Sequence, residues 1–287
     1  MNSKKIFVIG SNSFSGSNFV IKAIKEGYKV MGISRSPQPP SVFLPYKWSE
    51  SKKNEYLEED FIFKKLDLNN DLKEIIESID SFMPDYVVNF AAQGMVAESW
   101  LNPTHWYKTN VVSQVALHDE LRKSTFLKKY LRVTTTEVYG STDSGWINEK
   151  QIFSPSTPYA VSRASCDMHL RSFYEAYNFP VVFTRAANVF GPGQQLYRII
   201  PRTILSALSG KKMNLHGGGS SIRSFIHISD VVDATLKLLV EAQPGSTWHL
   251  STTEEISIKK LVQKICSFCN VEFEKIVKVT DERLGKD

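Results

Sequence analysis

Cysteine is scarce in this chain, with three residues in 287. A disulfide framework of the kind that holds small secreted domains together is therefore excluded. Cys266 and Cys269 form a single C-x-x-C on a helical pattern running from Ile256 to Cys269. With no second pair to complete a metal set, that spacing reads as packing, and no metal site is expected. No apolar run reaches the roughly 20 residues of a membrane span, and the N-terminus passes straight into a strand pattern without the apolar core of a signal peptide. A basic block with interleaved aromatics is missing as well. The formal charge is only +5 and the lysines are scattered, which an anionic small molecule explains as well as a nucleic acid would. Internal repeats and low-complexity tracts do not occur. These absences point to the reduced cytoplasm and a small-molecule ligand, with neither membrane nor nucleic acid as partner.

What is present is a large apolar fraction, 42%, enough for a substantial core in one large or two fused units. Lys5 to Ile9, Tyr28 to Ile33, Phe61 to Leu66, Asp85 to Phe90, Tyr130 to Thr134 and Pro180 to Thr184 read as strands. Between them, Gly16 to Glu26, Asp71 to Phe82, Trp106 to Lys123 and Tyr159 to Tyr177 carry helical spacing. Alternation of this kind predicts an α/β fold, a Rossmann-type doubly wound parallel sheet with its ligand along the carboxyl edge. After Gly191 the rhythm breaks at Gly191-Pro192-Gly193 and again at His216-Gly217-Gly218-Gly219. Residues 1–190 are thus expected to form a dinucleotide-binding domain. Residues 191–287 are expected to form a smaller C-terminal substrate-binding lobe, with some return to the main domain. Pro37, Pro39, Pro40 and Pro45 predict a mobile surface loop over Ser34 to Pro45.

The first strand ends in Gly10-Ser11-Asn12-Ser13-Phe14-Ser15-Gly16, which opens the first helix. Backbone N–H groups and the helix dipole meet a pyrophosphate at such a turn. Gly10, Asn12, Ser13, Phe14, Ser15 and Gly16 are the candidates there, with Ser13 where the motif has its middle glycine. The second strand ends in Ser34-Arg35, where an NAD-binding chain carries Asp or Glu for the ribose hydroxyls. A guanidinium and a hydroxyl suit a 2′-phosphate instead, which favours NADP over the alternative NAD. Asp67 and Leu68 end the third strand and are placed at the adenine. Ala91, Ala92 and Gln93 follow the fourth, where small residues let backbone approach the cofactor.

Chemistry enters with Thr134-Thr135-Thr136-Glu137-Val138-Tyr139-Gly140 at a strand end and, about twenty residues on, Pro158-Tyr159-Ala160-Val161-Ser162-Arg163. Tyr159 and Arg163 stand four apart on a helix and share a face. A phenol beside a fixed cation, joined by hydroxyls and a carboxylate, makes a site for chemistry on an alcohol carbon. Asp143 and Asp167 carry no distinct signal. His216 and His227 read as packed or hydrogen-bonded residues.

Together with Asn89 to Gln93, Pro155 to Tyr159, Asn188 to Pro192 and Arg223 to His227, these landmarks make the chain resemble the extended short-chain dehydrogenase/reductases. Within that superfamily it is similar to the nucleotide-sugar 4,6-dehydratases, those acting on GDP-mannose and on dTDP-glucose. The resemblance implies a 4,6-dehydratase that oxidises C4, eliminates water across C5 and C6, and returns hydride to C6. It implies Tyr159 as the base at the C4 hydroxyl, Thr135 as its hydrogen-bonding partner and Glu137 as the base at C5. Thr136 stands where many relatives have an acidic Asp, and Arg163 where they have lysine. Asn110, Tyr159 and Arg163 would join the cofactor site, and Glu98, Asn188 and Arg223 the substrate site. A homodimer through the helices at Trp106 to Lys123 and Tyr159 to Tyr177 is implied as well. The segment Asp281 to Asp287 resembles an internal family segment, so the chain is expected to be truncated at its C-terminus. A 4-epimerase or C4-decarboxylase on the same scaffold, and a catalytically degenerate nucleotide-binding member, stay open as alternatives. The arginine-rich stretch of the GDP-mannose enzymes is not obvious in Gly191 to Pro201, so the sugar and the base stay open too.

Overall fold

The computed structural model describes residues 4–48, 60–141 and 145–282. Seven strands form one parallel sheet: β1 (Lys5–Ile9), β2 (Lys29–Ser34), β3 (Phe61–Lys65), β4 (Tyr86–Asn89), β5 (Lys129–Thr135), β6 (Val181–Ala186) and β11 (Thr247–Leu250). Their spatial order is β3-β2-β1-β4-β5-β6-β11. The doubly wound parallel sheet expected from the alternation is therefore present. Alternate side chains of β1 serve opposite faces, as the two-residue period of a strand requires. Ile6 and Val8 join one apolar cluster, Phe7 and Ile9 the other.

Helices cover both faces, which is why Ile6–Ile9 of β1 are apolar in succession rather than alternating with polar residues, while β5 and β6 also bury Arg132 and Arg185. On one face lie α1 (Phe14–Lys25) and α8 (Ile228–Glu241), which supply Phe19, Val20, Val232 and Leu239 to the first cluster. On the other lie α2 (Leu72–Phe82), α5 (Ser113–Leu121) and α6 (Pro158–Tyr177), which supply Ile75, Leu117, Cys166 and Leu170 to the second. The strand order reverses between β1 and β4, and the ends of these two strands bound the crevice where such sheets bind ligands.

The later chain adds α7 (Ile199–Ser209), α9 (Ile258–Phe268) and three small strand pairs. Residues Ala207, Met213, Leu215, Val262, Cys266 and Ile276 form a separate apolar cluster there. Cys266 is packed inside it, and Asp143 lies outside the described residues.

Two segments differ from the sequence expectation. The proline-rich stretch after β2 is not a loose surface loop over its whole length. It makes two 3₁₀ turns, Ser41–Phe43 and Pro45–Lys47, and buries Leu44 and Tyr46 in the first cluster. The Tyr46 ring tilts against Phe61 at 4.8 Å, and its hydroxyl reaches Asn12 Oδ1 at 3.1 Å. The prolines thus set the turns, while the aromatic and leucine between them anchor the segment. The helix expected from Trp106 to Lys123 is interrupted: α4 (Pro103–Tyr107) passes into a π-turn at Lys108–Val112 before α5 begins. Such a widened turn turns one side chain inward, and here that side chain is Asn110, which is fully buried.

Candidate active site

The turn after β1 is built by its two glycines. Gly10 has φ +85, and a Cβ there would stand 2.8 Å from the backbone nitrogen of Ala91. A Cβ on Gly16 would collide with the Gly10 carbonyl oxygen. Ser13, between them, needs no glycine: its backbone is extended (φ −70, ψ 161), and its Oγ caps α1 by accepting from Gly16 N at 3.0 Å. The first turn of α1 carries no acidic side chain, so its dipole stays open to an anion. This cradle, closed against Ala91 at the point where the strand order reverses, fits the pyrophosphate of a dinucleotide.

Asn12 links the cradle to the end of β2, its N–H donating to Ser34 Oγ at 3.0 Å and its amide to the Ser36 carbonyl at 3.2 Å. Arg35 is exposed beside them, and no ion pair engages it among the described residues. The Asp67 carboxylate turns back on its own loop, accepting from Asn69 N at 2.9 Å and from the Asn70 amide at 3.3 Å. Leu68 is buried in the second cluster. Ala91, Ala92 and Gln93 run along the end of β4. Asn89 Oδ1 accepts from Ala91 N at 2.9 Å, and Asn110 brackets Gln93 through both backbone groups at 2.8 and 3.1 Å. Asn110 spends its other amide hydrogen on Ser162 at 3.0 Å. Both of its donors are therefore used inside the protein, and it supports the Gln93 loop and α6 together.

Tyr159 sits in the first turn of α6, behind the Thr157 cap, whose Oγ1 accepts from Ala160 N at 3.1 Å. Its hydroxyl lies beside the Thr135 side chain, at the end of β5, which acts on it to lower its pKa. Thr135 Oγ1 also accepts from Glu137 N at 3.2 Å, capping the 3₁₀ turn Thr136–Tyr139. Tyr159, Thr135 and Glu137 are thus brought together. Burial raises the Tyr159 pKa above the ordinary value; Arg163 pulls it down, Glu137 pushes it up, and Thr135 and Arg198 pull it down. The net direction is upward, so the cation does not outweigh burial.

Arg163 is buried, and burial and then Arg132 hold its pKa below the usual guanidinium range. It donates to the Val133 carbonyl of β5. Thr136 follows Thr135 in the same turn. On the substrate side, Glu98 is exposed on the short helix α3 (Val96–Leu101). The strands β7 (Asn188–Phe190) and β10 (Phe225–His227) pair in parallel, and the Asn188 amide reaches the Ser224 carbonyl at 3.3 Å. Arg223, in β9 (Ile222–Arg223), precedes that carbonyl and pairs with Ile256 of β12 (Ile256–Ser257). His227 caps α8, and His216 bonds Thr280 at 3.0 Å.

Three polar residues were missed in the sequence. Arg198, at the start of α7, acts electrostatically on Tyr159. Arg185 and Asp167 form a buried ion pair at 3.1 Å. Asp167 did carry a signal: it stands four residues after Arg163 and eight after Tyr159, on one helix face.

A parallel doubly wound sheet with a glycine cradle at its switch point and a Tyr–Thr pair at neighbouring elements defines a nicotinamide-dinucleotide enzyme of the short-chain dehydrogenase/reductase type. The chain belongs to the GDP-mannose 4,6 dehydratase family, whose profile matches residues 7–286. It is an enzyme of the sugar-nucleotide dehydratase and epimerase group. It is 28% identical to the trifunctional UDP-glucose 4,6-dehydratase/UDP-4-keto-6-deoxy-D-glucose 3,5-epimerase/UDP-4-keto-L-rhamnose-reductase of Arabidopsis thaliana, over 99% of this chain and 42% of the plant protein. It thus spans less than half of that relative's length. Among solved structures it is similar to dTDP-glucose 4,6-dehydratase of Bacillus anthracis in complex with NAD. That match has a TM-score of 0.85 and 27% identity and covers 98% of this chain and 85% of that one. It is also similar to UDP-N-acetylglucosamine 4-epimerase of Methanobrevibacter ruminantium, with a TM-score of 0.84 and 27% identity over 100% of this chain and 88% of that one. No helix among the described residues is long and apolar enough to cross a membrane.

Proposed function

We propose that the chain is a nucleotide-sugar 4,6-dehydratase that uses NADP. The observation that carries this reading is the convergence of Tyr159, Thr135 and Glu137, a phenol, a hydroxyl and a carboxylate linked through one hydrogen-bonded turn. Tyr159 takes the proton of the C4 hydroxyl, and Thr135 holds the C4 oxygen. A nicotinamide dinucleotide held at the cradle by Gly10, Asn12, Ser13 and Gly16 would supply the acceptor for the C4 hydride and its donor to C6. The C4 ketone so formed acidifies the C5 proton, which Glu137 removes as the C6 hydroxyl leaves. Thr136 is too weak an acid to protonate that leaving group alone. Glu137, the carboxyl of the same turn, delivers the proton it took from C5 to the departing hydroxyl. The negative charge left at C5 when hydride reaches C6 is quenched by a proton that replaces the one Tyr159 took from the C4 hydroxyl, relayed through water.

Gly10, Asn12, Ser13, Phe14, Ser15 and Gly16 hold the pyrophosphate, and Asp67, Leu68, Ala91, Ala92 and Gln93 flank the adenine and nicotinamide halves. Ser34 and Arg35 take a ribose 2′-phosphate, which the exposed Arg35 guanidinium, in no ion pair among the described residues, supports. Asn188 and Arg223 face the sugar-nucleotide diphosphate, and Glu98 contributes to the substrate site away from that charge. A second copy packs against α5 and α6, where Val112, at the end of the π-turn before α5, and Met168, on α6, are exposed.

Incubation with NADP or NAD and each of a GDP-, dTDP-, UDP- and CDP-hexose, followed by product mass, tests the reading. Loss of one water supports it. Unchanged mass with altered sugar identity supports the 4-epimerase reading, which the epimerase likeness favours. Cofactor binding without turnover, restored by Arg163→Lys, supports a degenerate site. Dehydration left intact by Glu137→Gln refutes the assignment of the C5 base.

A further inference from the structure

Tyr139 lies two residues beyond Glu137, at the end of the same 3₁₀ turn, and is buried. Arg185 Nη1 donates to its hydroxyl at 2.8 Å. A guanidinium only donates, so the hydroxyl hydrogen of Tyr139 is available to His249 Nε2, 2.8 Å away. Burial holds the His249 pKa below its ordinary value, and the neutral ring protonated at Nδ1 is the tautomer that accepts this hydrogen. The other Arg185 nitrogen, Nη2, donates to Asp167 Oδ2 at 3.1 Å. Asp167 stands on α6 two turns after Tyr159, and that helix is continuous between them.

We infer that the chain Asp167–Arg185–Tyr139–His249 is a positioning brace that fixes Glu137 against Tyr159, so that the site of elimination keeps register with the site of oxidation. It joins the helix that carries the C4 base to the turn that carries the C5 base, through β6 and β11, using side chains alone. The Arg185 guanidinium also lies over the Tyr139 ring at 5.2 Å and the Phe153 ring at 4.9 Å, which restricts the brace to one arrangement. His249 is itself fixed, because its backbone N–H donates to Glu149 Oε1 at 3.0 Å. Tyr139, Arg185 and Asp167 take no part in bond making.

The inference rests on the dehydratase reading, and rapid mixing with a sugar nucleotide separates the two. Tyr139→Phe keeps the ring but removes the hydroxyl at the centre of the brace. Water loss is expected to fall about 10- to 100-fold, the effect of a misplacement on the order of 1 Å. C4 oxidation is expected to change by less than about 3-fold, because Tyr159 and Thr135 are untouched. Reduced nicotinamide then accumulates before product, relative to the unaltered chain. With Tyr139 intact, His249→Gln, whose amide oxygen can accept the Tyr139 hydroxyl, is expected to keep water loss within about 3-fold of the unaltered chain, and His249→Leu to behave as Tyr139→Phe. Equal slowing of both steps, or of neither, overturns the brace while the dehydratase reading stands. An unaltered chain that removes no water from any sugar nucleotide overturns the functional reading, and the brace falls with it.

Discussion

Asp167→Asn is the substitution that most directly tests the buried charge beneath the site. The side chain is 1% exposed, and the Arg185 and Arg132 nitrogens lie 3.1 and 3.6 Å from its two oxygens. Both arginines are buried, and Arg163 lies one helical turn away. Asparagine keeps the shape and removes the only negative charge among these four residues. Breaking a buried pair in this way costs about 3–5 kcal/mol, because the surviving cations stay in a low dielectric. A folded chain holds about 5–15 kcal/mol in total, so about a fifth or more of it would be lost. At about 2–4 °C per kcal/mol, Tm should fall about 6–20 °C. Urea denaturation is the assay of choice: the midpoint should drop at an unchanged slope. The loss should be nearly the same at low and high salt, since buried charges are little screened. Adding Arg132→Met to Asp167→Asn should recover part of it, because one of the stranded cations is then gone. A loss below about 1 kcal/mol, the range of exposed pairs, would refute the picture of a buried cluster of cations held by the Asp167 charge.

Gly16→Ala should weaken binding of the nicotinamide dinucleotide at least about 10-fold by titration, a loss of about 1.4 kcal/mol. The new methyl meets the Gly10 carbonyl and crowds Ser13 Oγ at 2.8 Å, so the cradle must open. Stability should fall as pH drops through about 6.5, the ordinary histidine value. Burial, with Arg132 and His169 as further causes, holds the His118 pKa well below that value. The folded form therefore stays neutral while the unfolded chain takes the proton, and the stabilisation present above about pH 6.5 is lost toward the folded pKa. Urea midpoints between pH 7.5 and 5.5 measure it, and His118→Gln should flatten the trend. Arg35→Ala should raise the Kd for NADP about 10-fold or more and leave that for NAD within about 2-fold, since only the 2′-phosphate loses a partner.

The sheet was legible because its strands are buried on both faces and therefore read as continuous apolar runs bounded by turns. The glycine cradle was legible too, although Ser13 looked like a defect until its extended backbone showed that no glycine is needed there. What the sequence hid depends on contacts between distant segments. Tyr139 meets His249 across 110 positions, and Arg185 meets Asp167 across 18. No local period encodes such pairs. The π-turn at Asn110 was hidden for another reason: its neighbours satisfy an ordinary helix, and only the inward pull of Gln93 and Ser162 shows why the helix widens. Leu44 and Tyr46 were lost among prolines, whose turn signal outweighs two anchors in any window average.

Arg163 gains a different meaning from this geometry. A lysine at that place would be a point charge on a flexible stem, free to swing between partners. Arg163 instead donates to the Val133 carbonyl, two residues before Thr135 on the same strand. It therefore ties the helix of Tyr159 to the strand of Thr135 and fixes the distance between their hydroxyls. That arrangement favours rigidity over proton relay, since a guanidinium does not give up its proton. Its charge alone does not lower the phenol, because burial prevails. The second positive contribution comes from Arg198, exposed at the head of α7, in the later part of the chain. The field at Tyr159 is thus assembled from two distant segments, a buried cation fixed beneath the phenol and an exposed one set by where α7 lies.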